Sequence, residues 1–164
     1  MNCETKAGAN DSLIMTSYVS EAFVLDASVT ATWLLPDEHT EASARAFARI
    51  RSGVVDAQAP DLWLFECANI IANSVRCKRV AAADAMLVWS VLDAVRSRVE
   101  LVRLEPGQVR ACLALSIDLG LTVCDATYLW LASSLGLPLL THDAALAKAC
   151  RRKSVLVLRV EDLA

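Results

Sequence analysis

The chain has 164 residues, 55% of them apolar and 21% charged, with five glycines, four prolines and a mean hydropathy of +0.42. A chain of this length buries close to ~70% of the surface it would expose when unfolded, so these figures describe one globular domain and exclude disordered, collagen-like and disulfide-scaffold classes. Sixteen Lys and Arg against nineteen Asp and Glu give a net charge of −3, so affinity for nucleic acid has to come from a local patch rather than from the whole molecule.

Residues 1–21 form a polar lead around Leu13-Ile14-Met15, without the apolar h-region of a signal peptide. The lead is expected to be poorly ordered, its first fourteen residues dispensable, and the protein cytoplasmic. Ala22-Phe23-Val24-Leu25 predicts a strand buried on both faces of a parallel sheet, ending at Asp26. A helix over 29–35 stops at Pro36, and another over 37–51 runs from acidic residues to Arg45, Arg49 and Arg51, the order favoured by the helix dipole, before Gly53 closes it. Residues 54–57 read as a strand, Pro60-Asp61 opens a helix to about Arg76, and a further helix spans about 81–98.

The alternation over 99–104 predicts a strand with one wetter face, with Pro106-Gly107 as its turn. Helices at about 107–119 and 125–135, a strand at 137–140, a helix at 144–151 and a strand at 155–160 complete the domain, leaving 161–164 as a tail. Strands alternating with helices imply parallel crossovers, hence a three-layer α/β sandwich with a central, mainly parallel sheet of four or five strands over residues 22–160. The most apolar long stretch, 126–140, is 15 residues with Pro138 inside it, shorter than the ~20 of a membrane span, and reads as a buried helix and strand.

The chain has no G-x-G-x-x-G, Walker loop, G-x-S-x-G elbow or Cys-x-x-Cys motif, and only His39 and His142. Its six cysteines read as reduced, mostly buried thiols. What remains is acidic. Asp26 and Asp143 each follow an apolar strand, at the edge where open α/β sheets bind their ligands. Glu66 interrupts an apolar helix face and shares one stripe with Asn69, Asn73 and Arg76, and Asp125 opens an almost wholly apolar helix. Each has a plainer structural alternative: Asp125 as an N-cap, Asp26 and Asp143 as strand-end turn residues, Glu66 as a solvated charge. Arg76, Lys78, Arg79, Lys148, Arg151, Arg152 and Lys153 are candidates for phosphate contact or solvated helix ends, and His39 lies in an acidic loop.

Taken together, Phe23-Val-Leu-Asp-Ala-Ser-Val, Phe65-Glu-Cys-Ala-Asn-Ile-Ile, Thr122-Val-Cys-Asp-Ala-Thr-Tyr-Leu-Trp-Leu-Ala and Leu139-Leu-Thr-His-Asp resemble the four signature blocks of PIN-domain nucleases, and most of all VapC-type toxins, over about residues 22–160. The resemblance implies a Mg²⁺- or Mn²⁺-dependent endoribonuclease with an acidic site of Asp26, Glu66, Asp125 and Asp143. Asp26, Asp125 and Asp143 would contact metal, Glu66 would complete the shell or orient water, and Ser28, Asn69 and Thr141 would orient the carboxylates. Elementary electrostatics agrees, since two carboxylates ~5 Å apart repel by roughly 3 kcal/mol at an effective dielectric of 20. Four cannot stay ionised unaided, and an all-oxygen set selects hard ions over Zn²⁺.

The expected reaction is in-line hydrolysis of an RNA phosphodiester, leaving a 5′ phosphate and a 3′ hydroxyl. His142 stands as either an RNA-facing residue or an ordinary loop histidine. The resemblance also implies a homodimer and a cognate antitoxin protein; Trp33, Leu34, Leu35 and Phe47 either offer the antitoxin an apolar groove or fill the core beneath the sheet. The alternative is a catalytically inactive PIN-like module that binds RNA or protein, against which the intact acidic quartet argues. An aspartyl phosphatase would need a second Asp where Ser28 stands.

Overall fold

Phe23, Val24 and Leu25 have no contact with water, and the strand they form is the centre of the sheet. The computed structural model describes residues 22–163, so the N-terminal lead lies outside the described residues. In chain order the elements are β1 (Ala22–Leu25), α1 (Ala27–Leu34), α2 (Glu41–Ser52), β2 (Asp56–Pro60), α3 (Trp63–Arg76), a 3-10 turn at Ala82–Asp84, α4 (Ala85–Arg96) and β3 (Val99–Val102). There follow α5 (Pro106–Leu119), α6 (Val123–Leu135), β4 (Leu139–Leu140), α7 (Ala144–Arg152), β5 (Val157–Leu158) and a closing 3-10 turn at Val160–Leu163. Among the described residues all strand pairs are parallel and the sheet has five strands, in the order β3-β2-β1-β4-β5, as the α/β reading expects.

From β1 the chain steps to β2 and β3 in one direction, then returns to set β4 and β5 on the other side of β1. Right-handed crossovers in opposite directions put their helices on opposite faces. Accordingly α1, α3 and α4 pack on one another, while α6 joins α5 and α7 and lies against β1, β2 and β4. The reversal falls between β1 and β4, and the loops leaving the carboxyl ends of these two strands diverge to open a crevice.

Several boundaries differ from expectation for local reasons. Helix α2 begins at Glu41 rather than at 37 because Thr40 and Ser43 form a reciprocal capping box, Ser43 N–H donating to Thr40 Oγ1 at 3.0 Å and Thr40 N–H to Ser43 Oγ at 2.9 Å. Strand β2 uses Asp56–Pro60 instead of 54–57: Ala57, Ala59 and Pro60 are buried and pair in register with β1 and β3, whereas Val54 is left exposed before the strand. Pro106 is not a turn residue but the first residue of α5, where its missing N–H costs nothing. The C-terminal segment is packed as far as it is described, with Val160 and Leu163 buried and the turn lying against α2.

The apolar groove considered for the first two helices does not exist. Trp33, Leu34 and Leu35 are buried, Trp33 Nε1–H donates to Ser43 O at 3.0 Å, and Phe47 meets the Trp33 ring edge-on with centroids 5.5 Å apart. These side chains join α1 to α2 within the core. The large exposed apolar residues lie elsewhere, among them Phe65 on α3, Met86 and Leu87 on α4 and Ile117 on α5. Among the described residues no single helix is long and apolar enough to cross a membrane.

Helix α3 is fixed to α1 by one buried hydrogen bond, from Trp63 Nε1–H to Thr30 Oγ1 at 3.0 Å, and neither residue is exposed to water. Thr30→Val keeps the shape and strands the indole N–H, so it is expected to lower stability by about 1–3 kcal/mol in urea unfolding, with Thr30→Ser close to wild type.

Candidate active site

Asp26 follows β1 and stands at the N-cap position of α1, yet its side chain caps nothing. Its carboxylate instead receives two hydroxyls on the same oxygen, Ser28 Oγ–H at 2.5 Å and Thr141 Oγ1–H at 2.6 Å, both donating to Oδ2. Each hydroxyl is oriented in turn by a backbone amide. His142 N–H donates to Ser28 Oγ at 3.0 Å, and Asp143 N–H donates to Thr141 Oγ1 at 2.9 Å. With its lone pairs engaged by the amides, each hydroxyl has its proton free for Asp26. The loop after β4 is thereby tied to the end of β1.

The other carboxylates arrive from three helices. Glu66, in the first turn of α3, accepts a 2.5 Å hydrogen bond on Oε2 from the phenol of Tyr128, which is fully buried on α6. It is half-buried, not a solvated charge. Asp125 is not the N-cap of α6. Thr122 holds that position and accepts from Asp125 N–H at 3.1 Å, while its hydroxyl proton goes to Asp125 Oδ2 at 2.7 Å. Asp143 does cap α7, through Oδ1 and Leu146 N–H at 2.7 Å, and also faces the crevice.

Asp26, Ser28, Glu66, Asn69, Asn73, Asp125 and Asp143 line one cleft of about 310 Å³ at the β1/β4 reversal. Thr141 acts behind it, through Asp26, and lines a neighbouring recess with His142. Of the candidate cations, Arg79 is paired with Asp37 and Glu38, Lys153 with Asp118, and Arg76 donates to Asn73 Oδ1 at the cleft edge. His39 meets Thr32 O at 3.3 Å through Nδ1, away from the cleft. Among the described residues the cysteines are mixed rather than mostly buried: Cys67, Cys112 and Cys150 are buried, Cys77 and Cys124 exposed, and these five are free thiols, while Cys3 lies outside the described residues. Sequence reasoning passed over Tyr128, although a single phenol in an apolar helix, one turn after Asp125, signals a buried hydroxyl that needs an acceptor.

Burial pushes the Asp26 carboxyl up, against its two hydroxyl donors, and the Asp125 charge acts in the same direction as burial. Burial also pushes Glu66 up to about 7; the Tyr128 bond opposes the rise, and the charges of Asp26 and Asp125 add to it. The carboxylates thus sense one another across the cleft. Among the described residues no group of three or more His, Cys, Asp or Glu side chains is arranged to hold a metal ion together. The cleft lining offers carboxylate, amide and hydroxyl oxygens and no sulfur or imidazole, a donor chemistry that suits Mg²⁺ or Mn²⁺, hard ions that keep several waters.

Both raised groups are acids, so ionisation is the costly state in the fold. Their contribution is fully present below the unfolded value, near 4.5 for Glu66, and is lost as pH rises towards 7. In chelator, the wild-type melting temperature is expected to fall by a few degrees between about pH 5 and about pH 8. Glu66→Gln keeps an acceptor for Tyr128 and flattens that slope; parallel curves for the two proteins would contradict the assignment.

The family model described as PIN domain matches residues 23–152. Ribonuclease VapC3 of Pyrobaculum aerophilum is 31% identical over 129 residues, which cover 76% of this chain and 92% of that protein. The crystal structure of PAE2754, also from Pyrobaculum aerophilum, aligns with a TM-score of 0.66 over 88% of this chain and 94% of that one, and at 21% identity it bears on the fold alone. On the family match and the extent of the likeness to Ribonuclease VapC3, the chain belongs to the PIN-domain family and is of the VapC type.

Proposed function

We propose that the protein is a Mg²⁺- or Mn²⁺-dependent endoribonuclease, the cytoplasmic toxin of a toxin–antitoxin pair. The observation that carries this reading is the carboxylate cleft, with Asp26 held by two hydroxyls at the sheet reversal and Glu66, Asp125 and Asp143 facing it. The name of the relative Ribonuclease VapC3 supports the same activity.

One or two of Asp26, Asp125 and Asp143 would contact the ion directly and the rest would reach it through its waters, and the ion would supply charge neutralisation and a more acidic water. Ser28 and Thr141 keep the Asp26 carboxylate turned into the cleft, and Asn69 offers an amide to the substrate or to a carboxylate. Glu66, raised to about 7, suits acceptance of the proton of the attacking water, and Tyr128 fixes its orientation. Water adds to phosphorus in line with loss of its proton to Glu66, the bond to O3′ breaks, and O3′ takes a proton from solvent, so the products carry a 5′ phosphate and a 3′ hydroxyl.

The exposed apolar residues of α3, α4 and α5 support a homodimer and a protein antitoxin as the covers of those faces. Co-expression with a neighbouring small open reading frame tests the second partner: growth inhibition and RNA cleavage should both be suppressed, and the two proteins should co-purify.

Asp26→Asn and Asp125→Asn are each expected to reduce RNA cleavage at least ~100-fold in Mg²⁺ while leaving the melting temperature in chelator unchanged or raised, because each removes a repelling charge. Mg²⁺ or Mn²⁺ should restore cleavage after chelation and raise the wild-type melting temperature more than that of either variant. Wild-type cleavage rates in both variants would remove the nuclease assignment from this cleft. RNA binding without cleavage in the wild type would favour the inactive binding module.

A further inference from the structure

Beside the carboxylate cleft lies a second recess of about 420 Å³, whose lining includes Thr141, His142, Asp143, Arg151, Arg159 and Glu161. Asp143 lines both spaces, so the recess continues the cleft along the loop after β4. Its two guanidinium groups come from different elements, Arg151 from the last turn of α7 and Arg159 from the segment just after β5. Neither is in an ion pair with a described residue, whereas Arg45, Arg79 and Lys153 all are. Interaction with the helix dipole accounts for Arg151 but not for Arg159, which lies outside α7.

The charges at the recess are consistent with an anion. Asp143 commits Oδ1 to the N-terminal end of α7, and Glu161 is the one other carboxylate in the lining, set against two arginines. Guanidinium forks match phosphate oxygens, and an RNA strand crossing the acidic cleft must carry its next phosphate past one end of it. The two spaces together thus alternate acidic and basic along one path, which suits a polyanion whose scissile phosphate needs a cation and whose neighbouring phosphate needs a fixed positive charge. A protein segment would meet no apolar anchor comparable to the exposed face of α3 and α4.

We propose that this recess seats the RNA phosphate adjacent to the scissile one, with Arg151 and Arg159 as its charged contacts, so that the strand is positioned over the carboxylate cleft. The inference rests on the nuclease reading above.

The test uses a short RNA containing one cleavage site, unmodified or carrying a single neutral methylphosphonate at the linkage on either side of it. The Arg151→Ala/Arg159→Ala double variant is expected to raise KM for unmodified RNA roughly tenfold with kcat within about twofold, and to lower the salt dependence of log KM by about 0.7 for each phosphate it no longer neutralises. Neutralising the flanking phosphate on one side should raise the wild-type KM by a similar factor but leave the double variant nearly unaffected, as a coupled pair requires. Glu161→Gln should lower KM, and Arg45→Ala on α2 should change nothing. Both arginines are exposed, so an unaltered melting temperature separates a weaker grip on RNA from damage to the fold. Wild-type cleavage with an unchanged KM in the double variant, or methylphosphonate effects of equal size in both proteins, would overturn the recess assignment alone. A wild type that neither cleaves nor binds RNA would overturn both readings.

Discussion

Asp26 Oδ2 accepts hydrogen bonds from Ser28 on α1 and Thr141 after β4, and through this shared acceptor the carboxyl ends of two neighbouring parallel strands are locked together. Backbone pairing alone would leave that end of the sheet loose, because β4 contributes only Leu139 and Leu140 to the ladder with β1. A buried carboxylate with too few donors would raise its pKa further and take up a proton. Two hydroxyls, each oriented by an amide, offset part of that desolvation. The same bonds that stabilise the charge also dictate where the carboxylate points. Removing either hydroxyl would therefore affect the strand junction and the cleft at once.

Electrostatics and packing pull in opposite directions around this junction. Phe23, Val24 and Leu25 beneath the site are wholly buried and account for a large apolar stabilisation, whereas Asp26 and Glu66 above them are held where ionisation is unfavourable. Tyr128 is the intermediary. Its ring belongs to the core and its hydroxyl to Glu66, so α6 contributes to both tasks with one side chain. The rise in the phenol's own pKa, from burial and from the Glu66 charge, keeps its proton in place as a permanent donor.

Much of this was legible in the residues because strand ends and acidic residues coincide. Asp26 and Asp143 could be placed on one rim as soon as 22–25 and 137–140 read as parallel strands, and the helical stripe of Glu66, Asn69 and Asn73 could be aimed at a common cleft. What escaped were contacts made across the fold. The Tyr128–Glu66 bond spans 62 residues and the Thr141–Asp26 bond spans 115, and no local pattern encodes such a distance. Local chemistry misled in its own way: acidic residues at 37 and 38 outweighed the Thr40–Ser43 box in placing the start of α2, and the valines at 54 and 55 masked a strand made of alanines. Tertiary context decided that strand, since pairing with both β1 and β3 begins only at Asp56 and Ala57.

The length of chain between Asp26 and its second hydroxyl has a bearing on synthesis. Thr141 follows Asp26 by 115 residues, so at about 5–20 residues per second the ribosome adds Thr141 many seconds after Asp26. During that interval the nascent chain has one hydroxyl partner for Asp26, no β4 to pair with β1, and no Asp143. A product stalled before Thr141 lacks the assembled cleft. The complete carboxylate cluster comes into being only once synthesis has passed Asp143.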